Sequence, residues 1–441
     1  MFGTSGVRGR FGEEITAGLA LSIGRALVAD GADRVVVGRD PRTTGPLLAD
    51  ALAAGIRECG GEVTDVGMAS TPTIARSVAW ADADAGVSIT ASHNPPTDNG
   101  IKLWTPSGMA FDADRRARIT ELVEGESFEP AAWDAVGDRE FFEGAIDRHA
   151  AAIAAAVDPV DGLRVLVDIG NGAGGVTVRA LRSIGCTVET LNEGPDGRFP
   201  ARPSEPTAEN CTTLAAAVAA TDADLGIAHD GDADRMMAVD ETGSFVPGDA
   251  LLALFARDVA DAGDRVAMPV NTSLAVEDAL AAIDASVVRT RVGDVYVAEA
   301  AREDGVVFGG EPSGAWIWPA ATLCPDGPFA AAQLAAFVDR VGSLSDAVGA
   351  IEQYPIRRES HETTAKAAVM ETVADRLTAA YDSVSTIDGV RVETDDGWFL
   401  VRASGTEPIV RVTAEARTDD RADELAAVGR SYVTTVIEEK A

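Results

Sequence analysis

The chain has 441 residues, 46% of them hydrophobic, with 71 acidic against 37 basic side chains and a formal net charge of −34. That apolar content excludes a globally disordered chain, and the charge excludes nucleic acid and anionic membranes as partners. No run of 18 apolar residues is present to span a bilayer, the opening MFGTSGVRGR lacks the apolar core of a secretory signal, and four scattered cysteines without a C-x-x-C pair point to a reducing cytoplasm.

The basic residues are lopsided: Lys102, Lys366 and Lys440 are the only lysines, and the other cations are arginine. A carboxylate-rich, lysine-poor chain resembles proteins of salt-loving cells, where concentrated salt screens self-repulsion. In such a chain the lysine inside the NGIK segment at 99–102 stands out.

At roughly 100–200 residues per domain, three or four domains are expected. The pattern repeats. An Arg-Val pair opens a β-rich run at 34–40 (RVVVGRD), 164–170 (RVLVDIG) and 265–271 (RVAMPVN). Each is followed, some 40–60 residues on, by a second apolar run that ends in a polar loop: SITASHNP at 88–95, GIAHDGDADR at 226–235 and VVFGGEPSG at 306–314. Strands alternating with alanine-rich helical stretches predict three similar α/β/α domains with largely buried sheets. From about residue 356 the pattern changes to a smaller α+β domain, with strands near 389–393 and 398–402 and a helix from Arg421. The expected boundaries are 1–157, 158–248, 249–354 and 355–441. Ligands of open α/β sheets sit beyond the carboxyl ends of strands, so the special loops are expected around one central cleft.

Ser92 ends a strand in a loop stiffened by Pro95 and Pro96, where its hydroxyl can face a cleft and His93 can orient groups beside it. Asp230, Asp232 and Asp234 form a hard oxygen-ligand cluster suited to Mg²⁺ or Ca²⁺, and three carboxylates so close repel one another without a cation. An EF-hand is rejected because Arg235 occupies the position that needs glycine. The GNGAGG segment at 170–175 fits a dinucleotide fingerprint, but no acidic residue is well placed after it, and a tight strand-to-helix turn is the better reading. Glu311 and Ser313 in GEPSG suit sugar hydroxyls. Arg402, Ser404, Gly405 and Thr406 in RASGTEP have the chemistry of a phosphate cradle, and Arg8 and Arg291 add positive charge.

Together these motifs resemble the alpha-D-phosphohexomutase family. The resemblance covers essentially the whole chain in the family's order: GTSGVRG at 3–9, TASHNP at 90–95, NGIK at 99–102, DGDADR at 230–235, TRVGD at 290–294, GEPSG at 310–314 and RASGTEP at 402–408. The wording is most similar to phosphoglucosamine mutases of an archaeal, salt-adapted type. The resemblance implies three similar domains and a smaller C-terminal one around the cleft. It implies that Ser92 is a phosphoserine, that one Mg²⁺ is bound by Asp230, Asp232, Asp234 and the Ser92 phosphoryl group, and that a sugar bisphosphate is the intermediate. Arg8, His93 and Lys102 would assist transfer. Arg235, Arg291, Glu311, Ser313, Arg402, Ser404, Gly405 and Thr406 would bind a sugar phosphate. The expected reaction interconverts glucosamine 6-phosphate and glucosamine 1-phosphate, in a monomer or homodimer. The same mechanism on glucose or mannose phosphates, a metal phosphatase, and a catalytically impaired sugar-phosphate-binding protein are the alternatives. One departure stands out: bacterial members carry a histidine after the Ser-Gly of the sugar loop, and here that position is Ala315.

Overall fold

The computed structural model describes residues 1–3, 6–404 and 408–440. They form two compact units, Met1–Gly248 with Ser313–Val348, and Asp249–Pro312 with Gly349–Ala441. No described helix is long and apolar enough to cross a membrane.

The first unit contains two mixed sheets. The larger has the strand order Val7–Arg10, Asp98–Trp104, Ala85–Ile89, Arg34–Arg39, Glu62–Met68, Arg139–Phe141. Its last four strands are parallel, and the first two are antiparallel additions at one edge. Alternate residues of the strand Arg34–Arg39 go to opposite faces. Val35 and Val37 pack with Ile23, Leu27, Leu48 and Leu52 of two helices, whereas Val36 packs with Ile74 and Val78 of the helix Thr71–Trp80. This two-sided burial explains the near-continuous apolar run of the sequence. The smaller sheet runs Met236–Asp240, Leu225–His229, Arg164–Asp168, Thr187–Leu191, with only the first pairing antiparallel.

The helix Gly327–Val341 packs within this unit, against the helices Gly175–Ile184 and Ala145–Ala156. Its N-cap explains why. Asp326 accepts from the Phe329 amide at 3.0 Å, from Arg76 Nε at 2.8 Å and from His149 Nε2 at 3.0 Å. His149 takes the Thr73 hydroxyl on its other nitrogen at 2.8 Å. Burial would push the Asp326 carboxyl up, but His149 and Arg76 outweigh it and hold the group below the usual carboxylate range.

The second unit holds the parallel strands Ser286–Thr290, Arg265–Pro269 and Val306–Gly310. It also holds an antiparallel sheet ordered Ile356–Glu362, Ile409–Ala416, Gly397–Ala403, Val390–Thr394, Val384–Ser385, covered by the helices Lys366–Ala380 and Asp419–Lys440. Buried Glu415 ties the two sheets together. It accepts from Ser273 Oγ at 2.5 Å, the Leu274 amide at 2.7 Å and Trp398 Nε1 at 2.8 Å. The fully buried Arg391 guanidinium lies over the Trp398 ring at 4.0 Å.

The repeat read from the sequence is present. In all three cases the Arg-Val run is a strand, and the second run is its parallel neighbour: Ala85–Ile89, Leu225–His229 and Val306–Gly310. The α/β class with mixed sheets and a C-terminal α+β part follows. The compact units cut across the expected segment 249–354, because residues Ser313–Val348 cluster with the first unit.

Candidate active site

The polar loops that follow the strands Ala85–Ile89 and Leu225–His229 meet within the first unit. Ser92 Oγ donates to Asp230 Oδ2 at 2.6 Å, and His93 Nδ1 lies 3.3 Å from the same Oγ. Ser92 is left-handed at φ 51, as is Ala233 at φ 56 in the aspartate loop. Non-glycine residues in that region carry a strain of about 1–3 kcal/mol, which persists only where surrounding bonds enforce it.

Asp230, Asp232 and Asp234 are all buried, and one carboxylate oxygen from each falls within 4.8 Å of the others. Asp232 Oδ2 accepts from Thr71 Oγ1 at 2.6 Å and from Lys102 Nζ at 2.9 Å, while the Lys102 ammonium also bonds Asp234. Asp232 Oδ1 is buried with no hydrogen-bond partner. An orphaned carboxylate oxygen inside a hard-oxygen cluster is what a small divalent cation needs, so these residues fit Mg²⁺. Burial and then the neighbouring carboxylates hold Asp230 well above its usual range. Asp232, equally buried, is pulled below its range because Lys102 and its other hydrogen bonds outweigh burial. Part of the repulsion expected from the sequence is therefore relieved by Lys102.

Positive charge gathers on the serine side. Burial, and then the fields of Arg235, Arg8 and Lys102, push the His93 imidazole down to about 2, so it is neutral at working pH. Arg8 Nε is buried without a hydrogen-bond partner. Arg235 pairs with Glu205 at 3.1 Å. A buried donor and a field that repels a proton from histidine suit an anion.

The aspartate loop is braced from behind. Burial pushes His229 down to about 4, so it is neutral. Its Nδ1–H donates to the Arg235 carbonyl at 2.9 Å, and its Nε2 accepts from Thr177 Oγ1 at 2.8 Å. The glycine-rich segment at 170–175 has the structural role expected of it, and more. The Ala173 amide donates to the Gly231 carbonyl at 2.9 Å. A Cβ on Gly172 would come within 2.8 Å of that oxygen and 2.9 Å of the Asp230 carbonyl. Only glycine lets this turn seat the metal loop.

Ala315 is buried and pairs with Arg235 in a backbone bridge, next to the Met236 amide bonded to the Gly314 carbonyl at 2.9 Å. The segment after Ser313 therefore continues the backbone pairing of the metal loop, and Ser313 itself is exposed.

The remaining residues lie in the second unit. Glu311 Oε1 accepts from the Gly293 amide at 2.7 Å, which joins GEPSG to TRVGD. Asp388 Oδ2 accepts from the Val292 amide at 3.0 Å and Arg402 Nη1 at 3.1 Å, and Arg291 Nε donates to the Ile387 carbonyl at 3.2 Å. Three recognition segments thus share one hydrogen-bonded patch. The Ser404 carbonyl accepts from Lys366 Nζ at 2.6 Å. Gly405 and Thr406 lie outside the described residues.

Sequence reasoning missed Thr71, Asp388, His229 and Thr177. Ser70-Thr71-Pro72 does read as a helix start, but nothing local shows that it faces an aspartate some 160 residues away.

Four family descriptions match in order. They are phosphoglucomutase/phosphomannomutase alpha/beta/alpha domain I at 1–130, domain II at 144–243, domain III at 247–354 and the C-terminal domain at 357–428. A protein of Methanococcoides burtonii named "Probable phosphoglucosamine mutase" is 47% identical over 436 residues, 98% of each chain. Its namesake in Methanopyrus kandleri is 46% identical over 446 residues, 99% of this chain and 98% of the other. A solved phosphoglucomutase/phosphomannomutase family protein from Burkholderia thailandensis superposes with a TM-score of 0.88 at 30% identity, covering 99% of this chain and 98% of that one. A serine bonded to a three-aspartate loop, together with four matched domains in order, means that this chain belongs to the phosphoglucomutase/phosphomannomutase family of alpha-D-phosphohexomutases.

Proposed function

We propose that this enzyme, an intramolecular phosphotransferase, interconverts glucosamine 6-phosphate and glucosamine 1-phosphate through phosphorylated Ser92. The observation that carries the chemistry is the 2.6 Å contact between Ser92 Oγ and Asp230 inside the buried aspartate cluster. The choice of sugar rests on whole-chain relatives named as phosphoglucosamine mutases.

In the forward half-reaction the free hydroxyl of the sugar phosphate attacks the Ser92 phosphorus. The bond from phosphorus to Ser92 Oγ breaks, a bond to the sugar oxygen forms, and the hydroxyl proton leaves. The resulting sugar bisphosphate turns end over end, Ser92 Oγ attacks its other phosphorus, the bond from that phosphorus to the sugar oxygen breaks, and the sugar oxygen takes back a proton. Such transfers depend chiefly on alignment and charge stabilisation. A magnesium ion held by Asp230, Asp232, Asp234 and the Ser92 phosphoryl oxygen would supply positive charge to the moving group. Arg8 and Lys102 add charge on the serine side, and neutral His93 can hold Ser92 Oγ in line without competing for a proton. The hydroxyl proton would pass to Lys102 as its ammonium hands a proton to Asp232 or Asp234 beside it, since Ala315 has no titratable group. Arg402, Ser404, Gly405 and Thr406 hold the phosphate that does not react, Arg235 and Arg291 add positive charge for the substrate, and Glu311 and Ser313 read sugar hydroxyls.

The test is a panel of hexose and hexosamine 1-phosphates in high salt, each primed with its matching bisphosphate. Glucosamine 1-phosphate should give the highest kcat/KM. A value at least about tenfold higher for glucose 1-phosphate, 1.4 kcal/mol in transition-state terms, would move the enzyme to the hexose branch of the same mechanism. Phosphate release without isomerisation would make it a phosphatase.

A further inference from the structure

Arg42 lies outside every motif that carries the family resemblance, yet its guanidinium is fully buried beneath the serine loop. All five of its N–H donors are used. Nε donates to Asp40 Oδ2 at 3.0 Å. One terminal nitrogen donates to the carbonyls of Pro95 at 2.6 Å and Asp98 at 2.8 Å. The other donates to the carbonyls of Ser92 at 2.8 Å and Asn94 at 2.7 Å. One planar group therefore gathers four carbonyls of a seven-residue segment that contains the reactive serine. The Phe199 ring stacks on it, 5.1 Å from the guanidinium carbon.

Asp40 completes the arrangement. Its Oδ1 accepts from the Arg42 amide at 2.9 Å, and its Oδ2 also accepts from Thr90 Oγ1 at 2.7 Å. Thr90 Oγ1 in turn accepts from the Ser92 amide at 2.8 Å. Both backbone polar groups of Ser92 thus answer to one ion pair: its N–H through Thr90 and Asp40, its C=O through Arg42. Ser204 Oγ adds a second donor to that carbonyl at 3.0 Å. These bonds hold the residue whose φ is left-handed and whose Oγ points at Asp230.

We propose that Arg42, set by Asp40, is the positioning residue of the phosphoryl-carrying serine, fixing Ser92 in its left-handed conformation so that Oγ stays in line with the aspartate cluster. The inference rests on the reading of Ser92 as the phosphoryl carrier. A lysine cannot replace Arg42. It offers three donors from a single point, whereas the four carbonyls need the flat, five-donor fork. Displacing a reacting atom by an ångström is enough to lower turnover by about a hundredfold.

The experiment compares wild type and Arg42→Lys for phosphate on Ser92 by intact mass, for kcat and KM, and for melting temperature. The expected result is a folded variant with KM within about twofold of wild type, kcat down by about a hundredfold, and slower loading of Ser92 from the bisphosphate. Wild-type Ser92 that never takes up phosphate would overturn the functional reading, and this inference with it. Phosphorylated wild type beside a variant with a lowered melting temperature and near-normal kcat would overturn the inference alone. If Arg42→Lys does not fold, Asp40→Asn decides. It keeps the shape and removes the charge that orients Arg42, and it should lower kcat by about tenfold with KM unchanged. Unchanged kcat in that variant would also overturn the proposal.

Discussion

Two sets of loops in this molecule are made differently. Around Ser92 and the aspartates nearly every polar group is buried and bonded to a protein partner, with Ser92, Asp230, Asp232 and Lys102 each no more than 2% exposed. Around Arg402 the side chains are more open: Arg402 and Asp388 leave a quarter of their side-chain surface exposed, and Arg291 is exposed. Phosphoryl transfer needs like charges held at fixed positions, and only a dense, dry network does that. Reading a sugar that must bind in two orientations calls for groups that can exchange partners. Substitutions in the first set should therefore lower kcat, and those in the second should raise KM.

The largest effect is expected at Asp232. Asp232→Asn removes a charged oxygen from the cluster and leaves Lys102 under-compensated. Turnover should fall by about a thousandfold, about 4 kcal/mol, with Mg²⁺ titration shifted to higher concentration. Activity equal to wild type with excess chelator present would remove the metal from the account.

Lys102→Arg comes next. It keeps the charge beside Asp232 and Asp234 but gives up the exchangeable proton. A fall in kcat of at least about tenfold, 1.4 kcal/mol, with a smaller change in KM, is expected from steady-state assays across pH. Near-normal kcat throughout would make Lys102 a counter-ion alone.

Arg402→Ala should raise KM for every phosphosugar by about tenfold and leave kcat within about threefold. A loss confined to one sugar would assign this residue to the ring and not to the phosphate.

The smallest effect on turnover is expected at Asp326, which caps the helix Gly327–Val341 and pairs with Arg76 and His149, not with Ser92 or the three aspartates. Its folded pKa is depressed, so its contribution to stability is present above the unfolded value of about 4 and is lost as pH falls through the lower folded value. Asp326→Asn should be less stable by about 3–5 kcal/mol at pH 7. In denaturant melts that gap should narrow as pH drops below about 4. A constant gap down to pH 2 would contradict this.

The repeat, the mixed α/β class and both reactive loops were legible because they are local. Apolar runs ending in TASHNP and DGDADR announce themselves along the chain. The supports were not legible. Arg42 reaches residues about 50 positions away, Thr71 reaches one about 160 away, and neither carries a local signature. The strand Ile356–Glu362 was also missed. Its residues IRRESHE lack an apolar alternation, because it lies at a sheet edge and no residue in it is buried. Lys102 was singled out by its rarity, but its role as counter-ion to two aspartates emerged only from the fold.

The central claim is that Ser92 carries the phosphoryl group. Peptide mapping of the purified enzyme after brief exposure to glucosamine 1,6-bisphosphate tests it most directly, with Ser92→Ala as the partner sample. The account predicts a single added phosphate on Ser92 that is lost, with bisphosphate appearing in solution, when excess bisphosphate is replaced by excess glucosamine 1-phosphate, and no modification or turnover in the alanine variant. Full activity of Ser92→Ala after priming, or phosphate confined to another residue, would contradict it.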